Sequence, residues 1–346
     1  MQTPRVEIDL NKIRLNSEYL VKKLKPNGIR VVGVTKAVCG HPEIASAIIA
    51  GGVNGLADAR IENVVRMRRA GINSEITMIR TPMASQIELI LDNCNASFNT
   101  EISIIEKLAN AAQKKYKTHN IILMVEMGDL REGILPKDLE RIVKKVANIP
   151  GIALKGIGAN FACLNKVPPD KNTMLFFSNL VNNIKSKCRQ ELKIISAGNS
   201  ASLPWALSDS NSKKISELRL GEAILLGIDP ISGDPIEGLY TDSFTLKAEV
   251  IELSEKSTSK NVFNYQSIAT SLYKKKRVIL AIGKQDTDVN GLTYSRNTSF
   301  LGATSDHLVL KTSDPALQVG SELKIKLNYS ALVRVMNNPT IEKITL

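Results

Sequence analysis

Along the first two-thirds of the chain, short apolar runs alternate with longer amphipathic stretches, which predicts repeated βα units. The runs are Val31–Thr35, Gly55–Ala59, Ile76–Ile79, Ala96–Asn99, Ile121–Glu126, Ala153–Ala159, Lys193–Ser196 and Glu217–Leu220. Helix signals lie between them: Pro42 follows His41 as a start, Ala70-Gly71 is a stop, and Pro136-Lys137-Asp138 is a further start. Eight such units have one common closed arrangement, a (β/α)8 TIM barrel. The open doubly wound alternative lacks its glycine fingerprint after the first strand. Beyond Ile236 the texture changes to alternating runs, Leu246–Ile251, Arg277–Ile282, Asp306–Lys311 and Glu322–Leu327, separated by Gly, Asn, Ser and Asp turns. They predict a smaller, mostly-β C-terminal domain with little helical periodicity. The expected division is 8–234 for the barrel and 235–346 for the β domain, with a strand at Val6–Asp9 of segment 1–9 joining the latter.

Composition narrows the function classes. The 346 residues accommodate a barrel of ~250 residues and a companion domain. No run reaches the ~18 apolar residues of a membrane span. Met1–Leu10 carries Asp and Glu and lacks the basic-then-apolar layout of a signal peptide, so a cytoplasmic location is expected. Cys39, Cys94, Cys163 and Cys188 form no CxxC pair, and His41, His119 and His307 have no ligand spacing; neither a disulfide framework nor a metal centre is expected. The net charge of +12 invites a nucleic-acid reading. The lysines are scattered, however, with a run only at Lys274–Arg277, and aromatics make up 4% of the chain. A solvated lysine-rich surface and a small-molecule substrate are expected instead.

Barrel active sites lie at the C-terminal ends of the strands. Lys36 follows the first run. A lysine after an apolar strand is ordinarily a solvated surface residue, but Val31-Val32-Gly33-Val34 reads as a buried barrel strand, so the next side chain enters the mouth. A desolvated lysine is a nucleophilic amine able to form a Schiff base. The turn Gly198-Asn199-Ser200-Ala201-Ser202 offers small residues, hydroxyls and a helix start, features of an ordinary cap and also of a phosphate site. Leu220-Gly221-Glu222-Ala223 adds a second close-approach glycine after the eighth strand. A Schiff-base lysine facing a phosphate cradle is what pyridoxal 5'-phosphate requires. Arg219, a charge in an apolar strand, needs a partner, and the pyridine nitrogen is one.

These motifs resemble the alanine racemase superfamily over nearly the whole chain. Val34-Thr35-Lys36-Ala37 with Gly40-His41 looks like its cofactor-lysine motif, and Glu126-Met127-Gly128-Asp129-Leu130-Arg131-Glu132-Gly133 like the segment whose arginine contacts the phenolic oxygen. Gly198-Asn199-Ser200-Ala201 is similar to its phosphate loop, and Arg219-Leu220-Gly221 to the element whose arginine faces the pyridine nitrogen. The resemblance implies cofactor contacts from Lys36, Arg131, Asn160, Asn199, Ser200, Arg219, Gly221, Glu222 and Ala223. Departures point to an alanine/ornithine racemase branch. One residue is missing between Lys36 and Gly40, Cys39 falls near an aromatic position, Asn160 replaces a histidine, and Met124 replaces a lysine carbamylated in many members. Lys284, in Ala281–Asp286, stands where the family has its catalytic tyrosine.

The resemblance implies an amino-acid racemase in which Lys36 serves one face of Cα and a second group, Lys284, serves the other from the partner's β domain, making a homodimer with a shared active site. Tyr294 and His307 are rivals for Lys284. Thr304–His307 resembles a substrate-contacting segment, so Ser305 and Asp306 are candidate substrate contacts, Asp306 meeting the distal ammonium of ornithine; Arg131 is a further candidate. Alanine, lysine or broad specificity remain open. So do a D-amino-acid lyase, against which the scarcity of metal ligands argues, and a non-catalytic cofactor carrier, against which the β domain argues.

Overall fold

In the computed structural model, residues 2–208, 215–254 and 276–346 are described. The chain begins with β1 (Arg5–Ile8) and α1 (Leu10–Leu24). It then alternates β2 (Arg30–Val34), α2 (Pro42–Ala50), β3 (Gly55–Asp58), α3 (Ile61–Arg69), β4 (Ile76–Met78) and α4 (Ile87–Asn93). The alternation continues through β5 (Ala96–Asn99), α5 (Ile102–Lys114), β6 (His119–Val125), α6 (Leu139–Ala147), β7 (Ile152–Ala159) and α7 (Lys171–Cys188). It closes with β8 (Ile194–Ala197), α8 (Leu203–Leu207), β9 (Glu217–Leu220) and α9 (Glu222–Leu226).

Strands β2 to β9 form a closed parallel barrel, sealed by β9 against β2 in the register Val31 to Leu218 and Val32 to Arg219. The strands are short and buried along most of their length because their outer faces meet helices and their inner faces meet each other. Amphipathic helices supply the outer layer: α3 buries Ile61, Val64 and Met67 and exposes Arg66 and Arg69, and α5 buries Ile105, Leu108 and Ala112. This is the expected (β/α)8 barrel. The unit it forms spans Leu10–Thr241.

The second unit comprises Met1–Asp9 and Asp242–Leu346. Its strands are β10 (Phe244–Ser254), β11 (Lys276–Leu280), β12 (Leu292–Thr293), β13 (Thr298–Ala303), β14 (Leu308–Thr312), β15 (Glu322–Leu327) and, after helix α10 (Tyr329–Asn337), β16 (Glu342–Thr345). The sheet order is β12-β15-β10-β11-β14-β13, with β1 added to β10 and β16 to β1. All pairings are antiparallel except β1 with β16. Arg5 of β1 is tied by an ion pair of 2.6 Å to Glu322 of β15.

Three features differ from the sequence expectation. Helix α10 stands in a stretch where the sequence shows little helical periodicity; Ala331, Leu332, Val335 and Met336 form its buried stripe and the Asn328 side chain caps it. Strand β6 begins at His119, two residues early, because that polar residue is buried against Ser97. Strand β13 lacks apolar alternation because it is largely exposed at the sheet edge. The first two residues of the Lys274–Arg277 run lie outside the described residues. Among the described residues, no helix is long and apolar enough to cross a membrane.

Candidate active site

Lys36 leaves β2 as the first residue of a single 3-10 turn, Lys36–Val38. That turn is clamped from the β3–α3 connection. Thr35 Oγ1 donates to Asp58 Oδ2 at 2.7 Å, while Asp58 Oδ1 accepts from Arg60 N at 2.9 Å and Asn63 Nδ2 at 3.0 Å. Gly40 closes the turn with φ +60°, and a Cβ there would stand 2.8 Å from the Asn63 carbonyl oxygen. Asp58 is wholly buried; desolvation raises its carboxyl above the usual carboxylate range against the pull of its three donors. Lys36 reaches solvent, yet it stands among strand ends rather than on an outer face. Crowding by protein lowers its pKa; Cys163 and Asp58 pull it back up, and Arg131 and Arg219 push it further down.

Arg219 is 4% exposed on β9, and both of its terminal nitrogens are hydrogen-bonded. NH1 donates to Ser196 Oγ at 2.5 Å, and NH2 donates to the Ala159 carbonyl at 2.8 Å and to Asn160 Oδ1 at 2.7 Å. Its Cζ lies over the Phe98 ring, 4.8 Å from the centroid. Ser196 Oγ donates in turn to Glu217 Oε1 at 2.7 Å, placing a buried carboxyl group one residue away from the guanidinium; burial raises the Glu217 pKa, and the Ser196 hydrogen bond and Arg219 oppose that shift. Burial lowers the pKa of Arg219, and Glu217 opposes that shift.

Arg131 sits in the loop after β6. Its NH2 bonds Glu132 Oε1 at 2.6 Å and its Nε bonds Glu132 Oε2; this pairing raises its pKa. Asn160 Nδ2 donates to the same Glu132 Oε1 at 2.9 Å. An unbroken chain therefore runs Arg131–Glu132–Asn160–Arg219–Ser196–Glu217, from the loops after β6 and β7 into strands β9 and β8.

The loop after β8 is held by Asn199, whose side chain accepts from Ala201 N at 2.9 Å and donates to the Phe161 carbonyl at 2.9 Å and Cys163 Sγ at 3.0 Å. Gly198 has φ +87°, and a Cβ on it would lie 2.3 Å from Ser202 Oγ. Ser200 Oγ accepts from Ala223 N at 3.2 Å, joining this loop to the start of α9. A Cβ on Gly221 would meet Val34 Cβ at 3.2 Å. Desolvation moves the Glu222 carboxyl up to about 7.

Lys284, Ser305 and Asp306 belong to the β unit, and their loops pair: Lys284 N donates to Thr304 O at 3.0 Å and Gln285 N to Ser305 O at 2.9 Å. Asp306 Oδ1 gathers Thr304 Oγ1 at 3.0 Å, Ser305 Oγ at 3.1 Å and His307 Nδ1 at 3.0 Å, which lowers its pKa. These bonds do not include Tyr294, whose buried hydroxyl has no hydrogen-bond partner among the described residues and whose pKa burial pushes up to about 12.

Sequence reasoning passed over Glu132, Ser196 and Glu217. Glu217 had a signal, since in Glu217-Leu218-Arg219-Leu220 the two charges share one strand face. Glu132 and Ser196 had none.

The residues fit pyridoxal phosphate on two counts. The donor set combines one amine of lowered pKa, two guanidiniums and two hydrogen-bonded helix starts made of small residues, which suits a phosphorylated aromatic aldehyde. Beside the cradle, the fully buried Ser202 Oγ has no hydrogen-bond partner among the described residues.

The profile of the family "Alanine racemase, N-terminal domain" matches residues 8–230. An ornithine racemase of Acetoanaerobium sticklandii is 31% identical over 98% of this chain and 99% of its own length. A lysine racemase of Thermotoga maritima is 31% identical over 99% of both chains. Among solved structures, an alanine racemase of Streptomyces coelicolor superposes with a TM-score of 0.78 at 15% identity, over 99% of this chain and 97% of that one.

Proposed function

Because the chain belongs to the family of the alanine racemase N-terminal domain, we propose that it is a pyridoxal-phosphate-dependent amino-acid racemase with ornithine favoured. When bound, the cofactor supplies an aldehyde carbon for an amine and an electron sink that acidifies the Cα proton. Lys36 is the amine that would hold it. Arg131 and Arg219 would hold its phenolic oxygen and ring nitrogen; Asn160 supports Arg219, and Asn199, Ser200, Gly221, Glu222 and Ala223 would hold its phosphate. The main support is the hydrogen-bonded chain from Arg131 to Glu217, which delivers two fixed positive charges to the mouth in which Lys36 stands.

Lys36 Nζ takes and returns the Cα proton on one face; its lowered pKa favours the neutral amine that a base needs. Arg219 cannot give up its proton, so it leaves a ring nitrogen unprotonated, which suits simple proton removal and return. Racemisation also needs the opposite face served, and Lys284 of the partner subunit is the group assigned to it in a homodimer. Asp306, ionised at neutral pH, offers a carboxylate to a distal ammonium, and the two relatives above are named for amino acids that carry one. The cytoplasm is the expected compartment.

Borohydride reduction of the cofactor-loaded protein followed by peptide mapping tests the assignment. The expected adduct lies on Lys36, and Lys36→Ala loses the visible absorption band. An adduct on another lysine would refute it.

A further inference from the structure

We infer that Glu132 is a positioning residue which, through Asn160, joins Arg131 and Arg219 into one rigid pair of cations. This rests on the reading of those arginines as cofactor contacts. Glu132 uses both carboxylate oxygens on Arg131, one of them at 2.6 Å. Its Oε1 also accepts from Asn160 Nδ2 at 2.9 Å, and Asn160 Oδ1 in turn accepts from Arg219 NH2 at 2.7 Å. The Asn160 amide therefore has one permitted orientation, because a flip would set its NH2 against a guanidinium and its oxygen against a carboxylate. Glu132 reaches this position because Gly133 turns the chain with φ +155°, where a Cβ would stand 2.4 Å from Glu126 N.

The alternative is an ordinary surface ion pair between neighbours in sequence. Arg131 and Glu132 side chains are 38% and 27% exposed, and such a pair alone contributes little to stability. A surface pair has no reason to extend to a buried arginine inside the barrel whose two terminal nitrogens are already hydrogen-bonded. Each guanidinium here is linked to an acidic side chain, Glu132 directly for Arg131 and Glu217 through Ser196 for Arg219. Removing Glu132 leaves two like charges facing each other across Asn160 without a counter-ion between them. The expected signature is therefore a large change at the cofactor and a small change in folding.

The test compares wild type, Glu132→Gln, Glu132→Asp and Asn160→Ala in the full chain. Cofactor dissociation constant, visible spectrum and its pH dependence, kcat and KM, and the melting temperature without cofactor are measured. Glu132→Gln is expected to weaken cofactor binding and lower kcat by about 10–100-fold, as the loss of supporting contacts does in other preorganised sites, with a shifted spectrum. Its melting temperature falls by no more than about 2–4 °C, Glu132→Asp recovers part of the loss, and Glu132→Gln with Asn160→Ala together cost little more than either alone. An unchanged spectrum, affinity and kcat in Glu132→Gln overturns the inference, as does a variant that only melts lower, or two independent multiplicative losses. A wild type that binds no cofactor removes the parent reading and this inference together; a wild type that loads beside an unaltered Glu132→Gln removes this inference alone.

Discussion

Replacing Asp58 with alanine removes one buried acceptor from three donors, Thr35 Oγ1 at 2.7 Å, Arg60 N at 2.9 Å and Asn63 Nδ2 at 3.0 Å. Each buried donor left unsatisfied costs about 1–3 kcal/mol. The removed carboxylate was itself penalised by burial, which raises its pKa and offsets part of that loss. The net expectation is a destabilisation of about 2–4 kcal/mol, a fall in melting temperature on the order of 5–15 °C. Asparagine behaves differently. Asp58 Oδ1 takes two N–H donors, so the amide oxygen must stay on that side and the NH2 must face Thr35 Oγ1. A hydroxyl can turn to accept, so Asp58→Asn costs no more than about 1 kcal/mol. It does remove a negative charge that favours the protonated Lys36, so the lysine pKa falls further and the acid limb of the rate profile moves to lower pH. Thermal unfolding and a pH–rate profile of both variants test this. Equal destabilisation by Asn and Ala, or an Asp58→Ala variant as stable as wild type, would refute the clamp.

Glu222 titrates near 7 in the folded protein against an ordinary value of 4.5, so the native state keeps a proton that the unfolded chain has lost between those limits. The stability this adds is complete below pH 4.5 and is lost as pH rises through about 7; partial solvent access holds it to about 1–2 kcal/mol. Denaturant melts from pH 4 to 8 should show that slope in wild type and lack it in Glu222→Gln; identical slopes would contradict the assignment. Gly198→Ala forces a side chain into φ +87° and within 2.3 Å of Ser202 Oγ, so it should destabilise by about 1–3 kcal/mol and weaken cofactor binding, measured by melting and titration. Asp306→Asn should reduce the preference for ornithine over alanine in kcat/KM by about 10-fold or more, as loss of a charge-assisted bond implies; an unchanged ratio would exclude the contact.

Most of the barrel was legible because its signals are local. The apolar pattern delimits Ala96–Asn99 and Glu217–Leu220 as they stand in the structure, and the start after His41-Pro42 coincides with α2. Strand ends then point to Lys36 and Arg219 without any knowledge of side-chain contacts. The relay was not legible in the same way. Glu132 meets Asn160 from 28 positions away and Asn160 meets Arg219 from 59, so only barrel closure brings them together. The β unit was read less completely, because an edge strand such as Thr298–Ala303 buries too little to show alternation, and a two-residue strand such as Leu292–Thr293 has no periodicity.

The central claim, racemisation through Lys36 and a second base, is tested most directly in D2O. The cofactor-loaded protein is incubated with single enantiomers of ornithine, lysine, alanine and serine, and optical rotation and Cα deuterium are followed together. The account predicts inversion with deuterium uptake, fastest for ornithine, and loss of both in Lys36→Ala. Deuterium exchange without inversion would contradict the second base, and no exchange with any of the four would contradict racemisation of these amino acids.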